Sequence, residues 1–125
     1  MLGRDLLGWM ARDGAQVTGL AHDALDITDA AAVRGAMRLL RPDVVVNCAA
    51  WTDVDAAEAD EAAALAVNGQ GPANLATACA PGGVRLVQLS IDYVFDGKAR
   101  RPYAENSVPH RGLPSGAPGW PGRRP

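Results

Sequence analysis

Apolar positions near the start of the chain recur at helical spacing. Leu2, Leu6, Leu7, Trp9 and Met10 supply a broad apolar face, and Gly14 provides a stop, so a helix is predicted over residues 1–13. Residues 16–20 make a short strand candidate. A second helical period runs through Val33, Met37 and Leu40, behind Thr28 and Asp29, either of which can cap its N-terminus. Arg41, Pro42 and Asp43 end it. Residues 44–48, led by Val44, Val45 and Val46, then read as a strand buried on both faces of a parallel sheet. After the small-residue turn Asn47-Cys48-Ala49-Ala50 comes an Ala-rich helix reaching Val67, with Asp53, Asp55, Glu58, Asp60 and Glu61 beside its start. Carboxylates there suit the positive end of the helix dipole, which explains them better than a metal site does. Residues 68–80 are a further helical stretch, with Leu75 and Cys79 four apart, closed by Pro81-Gly82-Gly83. Leu86, Val87 and Leu89 then mark a buried-type strand running into Ser90-Ile91-Asp92-Tyr93 and the turn pair Asp96-Gly97.

Strands alternating with helices predict βαβ units, hence an α/β fold with a doubly wound parallel sheet. Right-handed crossovers place the turns after Cys48 and Ser90 along one sheet edge. In such folds chemistry sits just past the carboxyl ends of the strands. Ser90, Asp92 and Tyr93 fall there; a strand followed by an ordinary turn is the competing reading.

Composition narrows the classes. A chain of 125 residues with a net charge of −2 fits one modest domain and has neither a nucleic-acid footprint nor a polybasic membrane surface. Cys48 and Cys79 lack CxxC spacing and read as small buried hydrophobes in a reducing cytoplasm. No apolar run reaches the roughly 18 residues of a membrane span, and no signal peptide is visible. Residues 110–125 are Pro, Gly and Arg without periodicity, so a disordered tail is expected, with a docking tail as the alternative.

Several motifs together resemble the dTDP-4-dehydrorhamnose reductases, members of the extended short-chain dehydrogenase/reductase superfamily. They are Gly3-Arg4-Asp5-Leu6, Leu25-Asp26-Ile27-Thr28-Asp29, the run from Arg41 through Asn47-Cys48-Ala49-Ala50-Trp51-Thr52-Asp53 to Glu58, Val67-Asn68, and Ser90-Ile91-Asp92-Tyr93-Val94-Phe95-Asp96-Gly97 with Pro102, Tyr103 and Glu105. The resemblance covers residues 1–109 and implies an NAD(P)-binding Rossmann domain, here incomplete. It implies hydride transfer from NADPH (or NADH) to the 4-keto carbon of a dTDP-sugar, dTDP-4-dehydro-L-rhamnose, giving dTDP-L-rhamnose. Intact members are expected to be cytoplasmic and to pair as homodimers.

By the same resemblance, Met1, Leu2 and Gly3 end the glycine-rich first turn, and Asp26 and Ile27 lie by the adenine. Ala49, Ala50 and Trp51, together with Leu89, line the cofactor, while Ile91 and Asp92 take substrate-side positions. Small side chains at Ala49 and Ala50 let backbone approach a dinucleotide closely. His22 sits where members often carry an Arg that meets the NADPH 2′-phosphate, although a lone exposed His is more often incidental.

Three departures weaken the implied catalysis. The chain opens inside a helix, so the first strand and the first glycines of the phosphate-binding turn are expected to be missing. Ile91 stands at the family's Thr position and has no hydroxyl to polarise a keto oxygen. The family's Tyr-x-x-x-Lys pair does not follow, since neither Tyr93 nor Tyr103 has a Lys four residues on. No catalytic residue is intact, and general acid catalysis of the kind that is lost is worth ~10²–10⁴-fold. Read two nucleotides over, the tail permits a segment resembling the family's Tyr-Gly-x-x-Lys-Leu-x-Gly-Glu, though without its Tyr or Lys. A frameshift near His110 is therefore expected, together with loss of the C-terminal substrate lobe. An inactive reductase fragment, a non-catalytic dinucleotide-binding or interaction module, and a fragment without function are the three readings this leaves.

Overall fold

The computed structural model describes residues 2–53, 59–89 and 99–107. Helix α1, Leu2–Arg12, forms where the apolar period predicts it, and Gly14 ends it at φ +78°, a conformation that L side chains resist. No residue of α1 is buried; Leu6 and Leu7 are half-buried, with Leu7 resting on Gly19. Residues 16–20 form no strand. Strand character requires a hydrogen-bonded neighbour, and among the described residues the sheet has only the two strands named below.

Helix α2, Ala30–Leu40, is capped by Asp29, whose carboxylate accepts from the Ala31 and Ala32 N–H groups at 2.8 and 3.0 Å. Thr28 plays a different part. Its N–H and hydroxyl both donate to Asp26 Oδ1, at 2.8 and 2.7 Å, closing a local turn one step ahead of the cap. Arg41 ends α2 in the left-handed region at φ 46°.

Strands β1, Val44–Asn47, and β2, Arg85–Gln88, pair in parallel with Val44 opposite Arg85 and Asn47 opposite Gln88. Burial on both faces is not what β1 shows. Val44 is 45% exposed, Val45 and Val46 are half-buried, and only Asn47 is buried. Helices pack on one face of the pair, and the alternating exposure along β2 follows the same division.

The two helices predicted between the strands are one continuous run. Helix α3, Glu61–Leu65, capped by Asp60 through the Ala63 N–H at 3.0 Å, passes into a π-helical turn, Ala66–Gln70, and then into α4, Gly71–Cys79. Single π turns of this kind are common at functional sites. A 3₁₀ turn, Ala80–Gly82, and Gly83 at φ +64° close the run as the Pro81-Gly82-Gly83 signal indicates. The core sits where α2, α4 and the sheet meet. Ile27, Val33 and Leu75 are its buried members, with Leu25, Val45, Ala78 and Leu86 packed against them.

Candidate functional site at the strand ends

Two loops converge at the carboxyl edge of the sheet. One leaves β1 through Cys48, Ala49, Ala50 and Trp51, and the other leaves β2 through Leu89. Their starting points are locked to each other. Asn47, 5% exposed, donates from Nδ2 to Gln88 Oε1 at 2.8 Å, while its Oδ1 accepts from the Ala49 N–H at 3.1 Å. Gln88 Nε2 in turn donates to the Leu89 carbonyl at 2.8 Å, and the Leu89 N–H donates to the Asn47 carbonyl at 3.4 Å. One buried amide thus fixes strand register and turns the chain out of β1 in a single step.

Ala49 and Ala50 are exposed, and Trp51 is half-buried. Trp51 is gripped through its backbone. Its N–H donates to Asn68 Oδ1 at 2.8 Å, its carbonyl accepts from Asn68 Nδ2 at 3.1 Å, and its indole N–H donates to the Asp53 carbonyl at 3.0 Å. Asn68 lies in the π turn, so the widened turn presents the amide that a strand neighbour would otherwise supply. The start of α1 approaches the same loop, and a Cβ on Gly3 would stand 3.5 Å from Cys48 Cβ.

The turn holding Asp26 and Ile27 belongs to the same edge. It precedes α2, which runs back across the sheet before β1 begins, so its N-terminus lies at the end where β1 finishes. Asp26 is exposed, and the Thr28 hydroxyl and N–H hold its carboxyl below the ordinary value, with a smaller contribution from His22. The Ile27 side chain points into the core, so this residue can offer a ligand only its backbone. Asn74, 8% exposed, donates from Nδ2 to the Ile27 and Thr28 carbonyls, both at 3.0 Å, and accepts from Gln70 Nε2 at 2.9 Å.

Of the residues the sequence singles out, Gly3, Ala49, Ala50, Trp51 and Leu89 surround the strand ends, with Leu2 exposed beside Gly3 at the start of α1. Ile27 is tied to the helical run that also holds Trp51, and Asp26 is held within the same turn by Thr28. Met1, Ser90, Ile91, Asp92 and Tyr93 lie outside the described residues, as do Asp55, Glu58 and residues 110–125. A cleft of about 350 Å³ opens beside β2 between Asn68, Pro72, Ala73, Ala76, Leu86 and Gln88. Asn47, Gln88, Gln70 and Asn74 carry no assigned role in the sequence reading. The available signal was an amide inside an Ala-rich apolar segment, because a buried polar side chain implies a partner.

The sites fit a dinucleotide in part. Exposed Ala49 and Ala50 on a braced backbone suit close approach, and the neighbouring Trp51 indole is tied to the Asp53 carbonyl. Among the described residues no helix is long and apolar enough to cross a membrane.

Comparison with known proteins places the chain in a family. Residues 1–116 match the sequence model of the RmlD substrate binding domain family. A dTDP-4-dehydrorhamnose reductase of Streptomyces griseus is 58% identical over 106 residues, covering 85% of this chain and 35% of the relative. A dTDP-4-keto-6-deoxy-D-glucose reductase of Streptomyces niveus is 51% identical over 108 residues, covering 86% of this chain and 38% of the relative. The crystal structure of dTDP-4-dehydrorhamnose reductase from Bacillus anthracis, in complex with NADP, superposes with a TM-score of 0.81 at 33% identity, covering 86% of this chain and 39% of that one. The chain therefore spans little more than a third of the length of these proteins.

Proposed function

The chain belongs to the dTDP-4-dehydrorhamnose reductase family, and from that premise we propose that it carries part of the dinucleotide site of an NADPH-dependent (or NADH-dependent) reductase of dTDP-4-keto sugars. The observation that carries this reading is the exposed Ala49-Ala50 loop, braced on one side by Asn47 and on the other by Asn68 at the carboxyl end of β1. In an α/β sheet that is where a dinucleotide lies. Leu2 and Gly3 at the start of α1, Asp26 and Ile27 before α2, and Leu89 after β2 complete the contacts the reading assigns, with Met1, Ile91 and Asp92 added from the sequence alone.

When bound, the cofactor supplies a hydride; in the reading's reaction, reduction of dTDP-4-dehydro-L-rhamnose to dTDP-L-rhamnose, that hydride goes to the 4-keto carbon. The chain's own residues hold and orient. Ala49 and Ala50 admit the ligand to the backbone, and Trp51 keeps one fixed placement because both its amide groups are engaged by Asn68. Within residues 1–125 no proton donor to the developing alkoxide is assigned, since Tyr93 and Tyr103 lack a Lys four residues on and Ile91 has no hydroxyl. The chain by itself binds without turning over. Two free cysteines, Cys79 buried and Cys48 half-buried, accord with a reducing cytoplasm.

The test is purified chain with NADPH and a dTDP-4-keto sugar, followed by fluorescence for binding and by nicotinamide absorbance for turnover. Weak NADPH binding without turnover is expected. Turnover would overturn the claim of inactivity, and absence of any NADPH binding would overturn the cofactor assignment. Tight binding without turnover would favour a free-standing, non-catalytic dinucleotide module instead.

A further inference from the structure

Asn74 lies on α4, among the core residues rather than at the strand ends, yet its amide is fully used. It bridges the carbonyls of Ile27 and Thr28, and Gln70 one turn earlier fixes its oxygen. Such a bridge over 46 and 47 residues of sequence is more than local turn chemistry, for Asp26 and Thr28 already close their own turn and Asp29 already caps α2. The approach is close. Gly71 is buried beneath Ile27, and a Cβ there would come within 2.7 Å of Ile27 Cγ1 and closer still to Cδ1. The 26–28 turn is thus held from below by its carbonyls, while the Asp26 carboxylate remains on the exposed side.

We propose that Asn74 is a positioning residue, which sets the 26–28 turn for the adenosine half of the dinucleotide without touching it. This rests on the cofactor reading above. The continuous helical run carries Asn68 and Asn74 six residues apart, each holding a different loop of the one site. Two loops are therefore held by separate amides of one helical run. Loss of Asn74 disturbs the 26–28 turn and leaves the Asn68 grip on Trp51 in place.

The test measures binding of NADPH, ADP-ribose and nicotinamide mononucleotide to the full chain and to its Asn74→Ala variant by ligand-observed NMR, with thermal melts alongside. The expected result is about tenfold or greater weakening for NADPH and ADP-ribose, as loss of two hydrogen bonds behind the turn implies, with nicotinamide mononucleotide unchanged. Equal weakening of both fragments, or none, would overturn the proposal, because a merely structural clamp lowers the melting temperature without choosing between them. Should Asn74→Ala not fold at the assay temperature, Gly71→Ala reaches the same turn from beneath Ile27 and must give the same selective loss. Should the unaltered chain bind none of the three ligands, the cofactor reading itself falls, an outcome distinct from unselective loss in the variants.

Discussion

Replacing Gly35 by Ala should stabilise the chain, and replacing Gly71 by Ala should not. Both lie in helices, Gly71 opening α4 at φ −56°, ψ −56° and Gly35 in the middle of α2. On propensity alone, each Ala gains about 1 kcal/mol over Gly in a helix interior. At Gly35 a Cβ would meet nothing within 4 Å, so Gly35→Ala should realise most of that gain. At Gly71 the same carbon would press on Ile27 Cγ1 and Cδ1, with Ile27 Cβ at 3.5 Å. An exposed isoleucine would swing aside, but Ile27 is buried with Val33 and Leu75 and has little room to rotate. Overpacking of a formed core costs about 1–3 kcal/mol, which cancels or exceeds the propensity gain. The two variants should differ by about 1–3 kcal/mol, each kcal/mol being worth roughly 4–8 °C in melting temperature for a domain near this size. Circular dichroism melts at matched concentration measure the difference. Adding Ile27→Val to Gly71→Ala removes the nearest atom and should recover part of the loss, a coupling of about 0.5 kcal/mol or more. If Gly71→Ala melts as high as Gly35→Ala, the close approach of α4 to the 26–28 turn is refuted.

Two further outcomes follow from the entrance to α2. Asp29→Ala should destabilise by about 1 kcal/mol, and Asp29→Asn by much less, because the amide oxygen can still accept from the Ala31 and Ala32 N–H groups; denaturant melts check both. Thr28→Ala removes the hydroxyl that does most to hold the Asp26 carboxyl below its ordinary value, so an NMR pH titration should show Asp26 moving up. The sign for stability is set by that depression. The contribution is present above the unfolded-state value of about 3.9 and is lost as pH falls through the lower folded-state value, so acid melts of the variant and the parent should converge below that window. An unmoved Asp26 titration would show that the hydroxyl contact does not govern the carboxyl.

Much of this fold is legible in the apolar periodicity, and what is not has definite causes. Helices α1 and α2 follow from their spacing and their stop and cap residues, all local quantities. Residues 16–20 have strand-like composition, but a strand exists only by pairing, and pairing cannot be read from one segment. The burial of β1 was overstated for a similar reason. Three valines promise two covered faces, whereas coverage depends on the elements stacked above and below. The Ala49-Ala50 loop and the 26–28 turn were visible as family motifs, but their supports were not. Gln70 and Asn74 are an i, i+4 pair within helical reach, but the bonds from Asn74 to the 26–28 turn span more than forty residues of chain, a distance at which no spacing rule operates.

The choice of amides for those supports has its own logic. Asn68 must accept from the Trp51 N–H and donate to the Trp51 carbonyl at once, which a carboxylate cannot do and a hydroxyl is too short to do. Asn74 must donate to two carbonyls while accepting from Gln70, and Asn47 must donate to Gln88 while accepting from Ala49. Each position needs both polarities in one rigid group, and a carboxamide supplies them without charge. A dinucleotide brings a doubly charged diphosphate to loops braced this way. Carboxylates at the same places would repel it through a partly desolvated interior, where charge is felt more strongly than in water. In the amide-supported loops, acidic groups stay on the outer side, as Asp26 and Asp53 do, and the bracing beneath is neutral. Uncharged supports let the chain hold its loops firmly without adding a repulsive field at the place where the cofactor reading puts an anion.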